Sequence, residues 1–290
     1  MAIIKPMAEL DDILGESPIW DSASGALWWI DIHGRRLNRL DWNTSSSRSV
    51  ALAQQVGSIS LRLGGGLLAA TRTGFAALDS DTGTLSPIVT ALHDQPDVRF
   101  NDGRVDHGGR FWSGTVQEKR TPGGAALYRL SADGACTCVL TGVTVSNGLA
   151  WSPDGRTMYF ADSFAREIYA FDFDDETGVI ANRRIFAEFP SEYGVPDGAV
   201  VDVDGYLWSA GMGGWHLLRF DPEGELEKTV RMPVSQPTSC TFGGPSLNTL
   251  FVTSASMRLD GEQRRAQPLA GALFALDVGT CGFDERRFGG

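Results

Sequence analysis

Short apolar strands that end in small or polar residues return six times along this chain. They read LWWIDI (27–32), LLAAT (67–71), FWSGT (111–115), MYFADS (158–163), LWSAG (207–211) and LFVTSA (250–255), with starts 40, 44, 47, 49 and 43 residues apart. Turn sequences such as DSASGA, RLGGG, DHGGR, SPDGRT and DVDGY precede them. Most are followed by a second strand closing near an acid (LNRLD, FAALD, IYAFDF, LLRFD, LFALD) and then by DTG, ADG, DETG or PEG. Repeats of this length built only from strands predict an all-β fold, a six-bladed β-propeller. No long 3.6-residue period is present, which excludes helical repeats. A β-sandwich would explain short strands but not their sixfold return. Residues 1–290 are expected to form a single domain, because all-β folds of this length are commonly single units. The opening AIIKPMAE is expected to add an outer strand to the last blade and so close the ring.

The strand before each quoted one should be innermost, lining the channel. The polar residue at its start falls 10–12 residues ahead of the next strand in every repeat. In order these are Glu16 (GESPIW), Gly57-Ser58 (GSISL), Asn101 (NDGRVD), Asn147 (NGLAWS), Asp197 (DGAVVD) and Thr238-Ser239 (TSCTF). Equivalent positions in a closed ring face the same end of one channel. Carboxylate and amide oxygens gathered there need a cation, and oxygen donors without His or Cys favour a hard one such as calcium, magnesium or manganese. The Asn-Gly and Asp-Gly pairs read as tight turns at the channel mouth. Turn chemistry alone would explain one such pair; Glu16, Asn147 and Asp197 together point to a metal.

The chain carries a formal net charge of −11 and has no Lys/Arg cluster, so nucleic acid is not an expected partner. MAIIKPMAEL lacks the apolar core of a signal peptide, and no run of 18 or more apolar residues predicts a membrane span. A cytoplasmic location without membrane partners is expected. Cys136, Cys138, Cys240 and Cys281 do not form a disulfide pattern, and the Cys-Thr-Cys pair has no second Cys/His pair near it. DFDDETG (172–178) begins like a calcium loop, but Thr177 and Arg183 occupy the places of the required Gly and Glu, so an outer hairpin is expected. No G-x-S-x-G elbow is present. His33, His93, His107 and His216 stand singly and none shows metal spacing; a rim role for His216, which follows the fifth-blade channel strand, is the less favoured reading.

The segments LGESPIWD, RFNDGRVDHGGRFWSGT, SNGLAWSPDGRTMYFADS and PDGAVVDVDGYLWSA, in that order, resemble the senescence-marker-protein/gluconolactonase family, also called the regucalcin family. The resemblance implies a six-bladed propeller with one divalent ion in its channel. Calcium is the first candidate, with zinc, manganese, magnesium or iron as alternatives. It implies hydrolysis of sugar lactones, an aldonolactone being opened to the aldonic acid. By motif position it implies Glu16, Asn147 and Asp197 as metal ligands, Asp197 as catalytic base as well, and Arg99 and Asn101 as substrate-binding residues. In some relatives an acid shortly after the Gly-Thr of the third blade binds sugar hydroxyls. Here GTVQEKRTPGG offers Glu118 and Lys119, so that acid is displaced or replaced and the sugar preference is open.

The chemistry is coherent on its own terms. A cation polarises a lactone carbonyl, a carboxylate takes the proton of the attacking water, and a guanidinium fork holds ring or hydroxyl oxygens. The overall negative charge leads us to expect neutral lactones rather than anionic ones. Two other readings stand beside this one. One is a calcium-dependent phosphotriesterase-like hydrolase, and the other a non-enzymatic calcium-binding scaffold. Arg99 and Asp197 favour an enzyme, because a structural ion requires neither a guanidinium nor a free base.

Overall fold

Burial along the repeats runs in one direction. The first strand of each repeat is almost wholly buried, whereas last strands such as Ser47–Ala51 and Leu226–Arg231 are mostly exposed. This gradient follows the sequence, from continuous apolar runs to polar ones such as LEKTVR, and is that of strands stacked outward from a central channel. The computed structural model describes residues 4–8, 11–92, 95 and 97–290. It is the expected all-β, six-bladed β-propeller.

Blade 1 comprises Gly15–Asp21, Ala26–Asp31, Arg36–Asp41 and Ser47–Ala51. Blade 2 comprises Val56–Arg62, Leu67–Thr71, Gly74–Leu78 and Leu85–Thr90. Val98–Val105, Phe111–Gln117, Ala125–Leu130 and Cys136–Val143 form blade 3. Ser146–Trp151, Thr157–Asp162, Glu167–Asp174 and Val179–Glu188 form blade 4. Gly194–Val201, Leu207–Gly213, His216–Phe220 and Leu226–Arg231 form blade 5. Blade 6 takes Pro237–Gly243, Thr249–Ser254 and Leu273–Asp277 from the end of the chain and Ile4–Ala8 from its start. Ile4 pairs with Leu276 and Pro6 with Phe274, antiparallel, so the expected closure of the ring holds for these residues. Ala2, Ile3 and Glu9 of that segment lie outside the described residues. The DFDDETG stretch is the outer hairpin of blade 4, as expected.

The apolar core is divided among the blade interfaces. Six buried clusters each join two neighbouring blades. Trp20, Leu27 and Trp29 of blade 1 pack on Phe251 and Leu273 of blade 6. Phe75 of blade 2 meets Phe100 and Phe111 of blade 3 at ring-centroid distances of 4.7 and 5.8 Å. Backbone bonding therefore builds each blade, and side-chain burial holds the blades to one another. Three buried indoles find carboxylate partners, whereas those of Trp20 and Trp151 have none among the described residues. Asp106 and Asp202 stand six residues ahead of Trp112 and Trp208 and accept their indole N–H groups at 2.7 and 2.9 Å. In blade 1, Asp12 serves Trp29 at 2.8 Å.

The sequence reading did not foresee the path of the C-terminal tail. Arg287–Phe288 lies parallel to the inner strand of blade 2, and the Glu285 carboxylate approaches Arg104 to 3.7 Å. Among the described residues, no helix is long and apolar enough to cross a membrane.

Candidate functional site

The register between inner and second strands slips in all six blades, and always at the marked position. The breaks fall between Glu16 and Ile19, Val56 and Ser58, Phe100 and Gly103, Asn147 and Ala150, Pro196 and Ala199, and Pro237 and Ser239. An extra residue on one strand bends it and re-aims its side chains. This corrects the reading of the Asn-Gly and Asp-Gly pairs as tight turns: they lie inside inner strands, at bulges. Gly148 adopts a left-handed φ of +60°, a conformation that costs little without a Cβ. Gly198 instead permits close packing, since a Cβ there would stand 2.1 Å from Ser239 Oγ.

Two aspartates fix the backbone just ahead of the site. Asp31, ending the second strand of blade 1, accepts the N–H groups of Ile13 and Leu14 at 3.0 Å each. Asp162, its counterpart in blade 4, accepts those of Thr144 and Val145 at 2.8 and 3.0 Å. The chain thus enters both inner strands on carboxylate anchors, two to three residues before Glu16 and Asn147.

Glu16, Arg99, Asn101, Asn147 and Asp197 all line one cavity of about 210 Å³. It adjoins a second of about 460 Å³, and Asn147 and Asp197 border both. The other ring positions behave differently. Ser58 and Thr238 are buried and bond Ser113 Oγ and Thr253 Oγ1 at 3.2 and 2.9 Å, and neither they nor Ser239 line the cavity. Their hydroxyls join strands rather than face the channel. Glu118 borders the cavity and pairs with Arg72 at 3.0 Å, whereas Lys119 turns to Asp97 at 3.7 Å. His216 is not a rim residue of this cavity; its Nδ1 bonds Gly214 O at 2.7 Å, and the ring packs on Tyr193. Instead His33 lines the cavity, with Arg120, Arg258, Met212 and Met257. No spacing rule marks His33, Arg120, Met257 and Arg258, because they come from connections between strands, while Met212 stands near the end of the second strand of blade 5.

A directed set of hydrogen bonds orders the polar groups. Arg99 Nη1 donates to Asn101 Oδ1 at 2.8 Å and to Phe100 O at 2.9 Å. Asn101 Nδ2 donates to Asn147 Oδ1 at 2.8 Å, and Asn147 Nδ2 donates to Ser163 Oγ at 2.7 Å. Ser163 spends its own proton on Pro196 O at 2.6 Å, next to Asp197. That fixes the Asn147 amide with Oδ1 toward Asn101, where a second lone pair stays free for a cation. Ser163 escaped the sequence reading, although it follows MYFAD directly. Ser163→Ala is expected to weaken divalent-ion affinity roughly 10–100-fold by releasing the amide; calcium titration calorimetry of both proteins measures it.

The acidic groups are buried together. Glu16 is 5 % and Asp197 3 % exposed, and the neighbouring Asp102 is also buried. Burial, then the Asp102 charge, raises Glu16 from the ordinary 4.5 to about 8. Burial, then the charges of Glu16 and Asp102, holds Asp197 well above the usual aspartate value. Burial raises Asp102 as well, opposed by Arg104 and by backbone N–H groups. Burial lowers Arg99 to about 10, which leaves it cationic at neutral pH. Carboxylates this close and this dry repel one another unless protonated or joined by a cation. Among the described residues, no three His, Cys, Asp or Glu side chains gather to hold a metal. The donor set that fits is two carboxylates and an amide oxygen, from Glu16, Asp197 and Asn147, and its hard oxygen chemistry suits a divalent ion.

Residues 14–256 match the family model described as the SMP-30/Gluconolactonase/LRE-like region. Regucalcin of Xenopus laevis is 35% identical over 284 residues, covering 96% of this chain and 95% of that protein. The solved regucalcin of Agrobacterium tumefaciens, described as a calcium-binding protein, superposes with a TM-score of 0.93 at 30% identity, covering 98% of this chain and 96% of that one. A gluconolactonase of Xanthomonas campestris superposes with a TM-score of 0.76 at 26% identity, covering 95% and 89% of the two chains. The matched region contains Glu16, Arg99, Asn101, Asn147 and Asp197, and with it the chain belongs to the SMP-30/gluconolactonase/LRE-like family.

Proposed function

We propose that this protein is a metal-dependent hydrolase of sugar lactones, opening an aldonolactone to the aldonic acid. The observation that carries the reading is the convergence of Glu16, Asn147 and Asp197 on a cavity that also presents Arg99 and Asn101. Kinship with a gluconolactonase supports the reaction class, and kinship with a protein described as calcium-binding supports calcium as the ion. Bound by Glu16, Asn147 and Asp197, a divalent cation supplies Lewis acidity that polarises the lactone carbonyl.

The side chains do the rest. Arg99 orients the lactone through its remaining guanidinium donors, and Asn101, whose two Nδ2 hydrogens go to Ser146 O and Asn147 Oδ1, accepts from a sugar hydroxyl through Oδ1. Asp197 takes a proton from the water as its oxygen bonds to the carbonyl carbon. The carbonyl carbon–ring oxygen bond then breaks, and Asp197 returns the proton to the departing ring oxygen, which leaves as a hydroxyl. Burial beside Glu16 and Asp102 gives Asp197 the basicity this requires, against the acidifying effect of ligation. Met212, Met257, Leu14 and Val145 form the apolar walls that limit bulk water.

The test is a panel of aldonolactones and one phosphotriester, each assayed with and without chelator. Chelator-sensitive turnover of lactones alone is expected. Turnover of the phosphotriester alone would reassign the electrophile, and turnover of neither would leave a binding scaffold.

A further inference from the structure

Two guanidiniums at the cavity have no role in the chemistry above. Arg120 lies in residues 118–124 of blade 3 and Arg258 in residues 255–272 of blade 6; these are the two longest connections between a second and a third strand. Blades 3 and 6 stand opposite in a six-membered ring, yet both arginines border both parts of the cavity, beside Asn147 and Asp197. Among the described residues, neither guanidinium has a hydrogen-bond or ion-pair partner, whereas Arg36, Arg110 and Arg219 elsewhere in the fold are all paired. Both hold a left-handed backbone, with φ of 49° and 59°. Burial, then the charge of Arg258, lowers the Arg120 guanidinium, with Asp197 opposing, which places the three groups within one another's fields.

The charges do not balance. A divalent ion would offset Glu16 and Asp197, Asp102 has the Arg104 charge near it, and Glu118 is already paired with Arg72. Burial, with Arg99 and Arg258 near, holds His33 below its ordinary value and so toward the neutral form. Beyond Arg99, which the reaction already uses, the two positive charges of Arg120 and Arg258 remain, at the edge of the larger part of the cavity. The net charge of −11 acts at a distance and is screened by salt; the two guanidiniums act at contact. The expectation of neutral substrates, drawn from the whole chain, therefore gives way to the local field.

We propose that the site takes sugar lactones bearing an anionic group, a carboxylate or a phosphate, away from the lactone carbonyl, and that Arg120 and Arg258 clamp that group from opposite blades. The inference rests on the lactonase reading and names its substrate class. Guanidinium forks suit either anion, and charge-assisted pairs are the strong ones.

Rates on glucarolactone, phosphogluconolactone and gluconolactone test it, with Arg120→Gln/Arg258→Gln beside the parent protein. At least one anionic lactone should exceed gluconolactone in kcat/KM by about tenfold or more. The advantage should lie in KM and shrink with added salt. In the double variant the anionic-to-neutral ratio should fall to about one. The better anionic lactone identifies the group as carboxylate or phosphate. Gluconolactone preferred over both, or a ratio unmoved in the double variant, would overturn the proposal. Calorimetric titration with glucarate reads the clamp without turnover. Binding by the parent that weakens at least tenfold in the double variant supports it; equal binding by both sinks it, even if no lactone is hydrolysed and the lactonase reading itself fails.

Discussion

Asp197→Asn is expected to reduce lactone hydrolysis by roughly a thousandfold or more in kcat, since it removes the base and a charged ligand together. The metal-free variant is expected to melt no lower than the metal-free parent. Asp197 is buried against Glu16 and Asp102, so the neutral amide relieves a repulsion that the folded chain otherwise carries. Rates at saturating calcium, together with thermal melts in chelator, give both values. A variant that keeps near-normal turnover would remove Asp197 from the chemistry. One that is inactive because its metal-free form melts far lower would make it a structural residue.

Binding of the ion is expected to release protons. The fold raises Glu16 from 4.5 to about 8, and Asp197 moves in the same direction. Between those values the unfolded chain ionises Glu16 while the folded, metal-free chain still holds its proton. The stability that Glu16 contributes is therefore complete below pH 4.5 and is lost as pH rises to about 8. An ion reverses the preference by requiring the carboxylates ionised. Calcium affinity should climb by about tenfold per pH unit for each proton displaced, and flatten above the raised values. The gap between melting temperatures with calcium and with chelator should widen from about pH 5 to about pH 8. Calorimetry in buffers of different ionisation heat counts the protons. A gap that stayed constant, with no buffer dependence, would show that these carboxylates are ionised before the ion arrives.

The propeller was legible because each repeat carries its own strand pattern, and six weak signals in one period make a strong one. The ring of oxygen donors was legible for the same reason: Glu16, Asn101, Asn147 and Asp197 hold one place in their repeats and line one cavity. The same rule failed at Ser58 and Thr238, where small hydroxyls bond neighbouring strands instead. It also misread the Asn-Gly and Asp-Gly pairs, because a bulge inside a strand and a tight turn call for similar residues. Asp102 was hidden beside Asn101, since strand alternation would send neighbours to opposite faces; the register break after Phe100 sets that alternation aside. Arg120, Arg258 and His33 come from connections of unequal length, which have no repeat to be read against.

On the function proposed above, a divalent ion held by Glu16, Asn147 and Asp197 makes this chain a lactonase. Its most direct test follows bound calcium and gluconolactone turnover in the same samples, as chelator-stripped protein is titrated with calcium. No hydrolysis above the spontaneous rate is expected in stripped protein, and the rate should return in proportion to bound ion until a single ion per chain is reached. Full turnover by the stripped chain, or none by the loaded one on any aldonolactone, would contradict it.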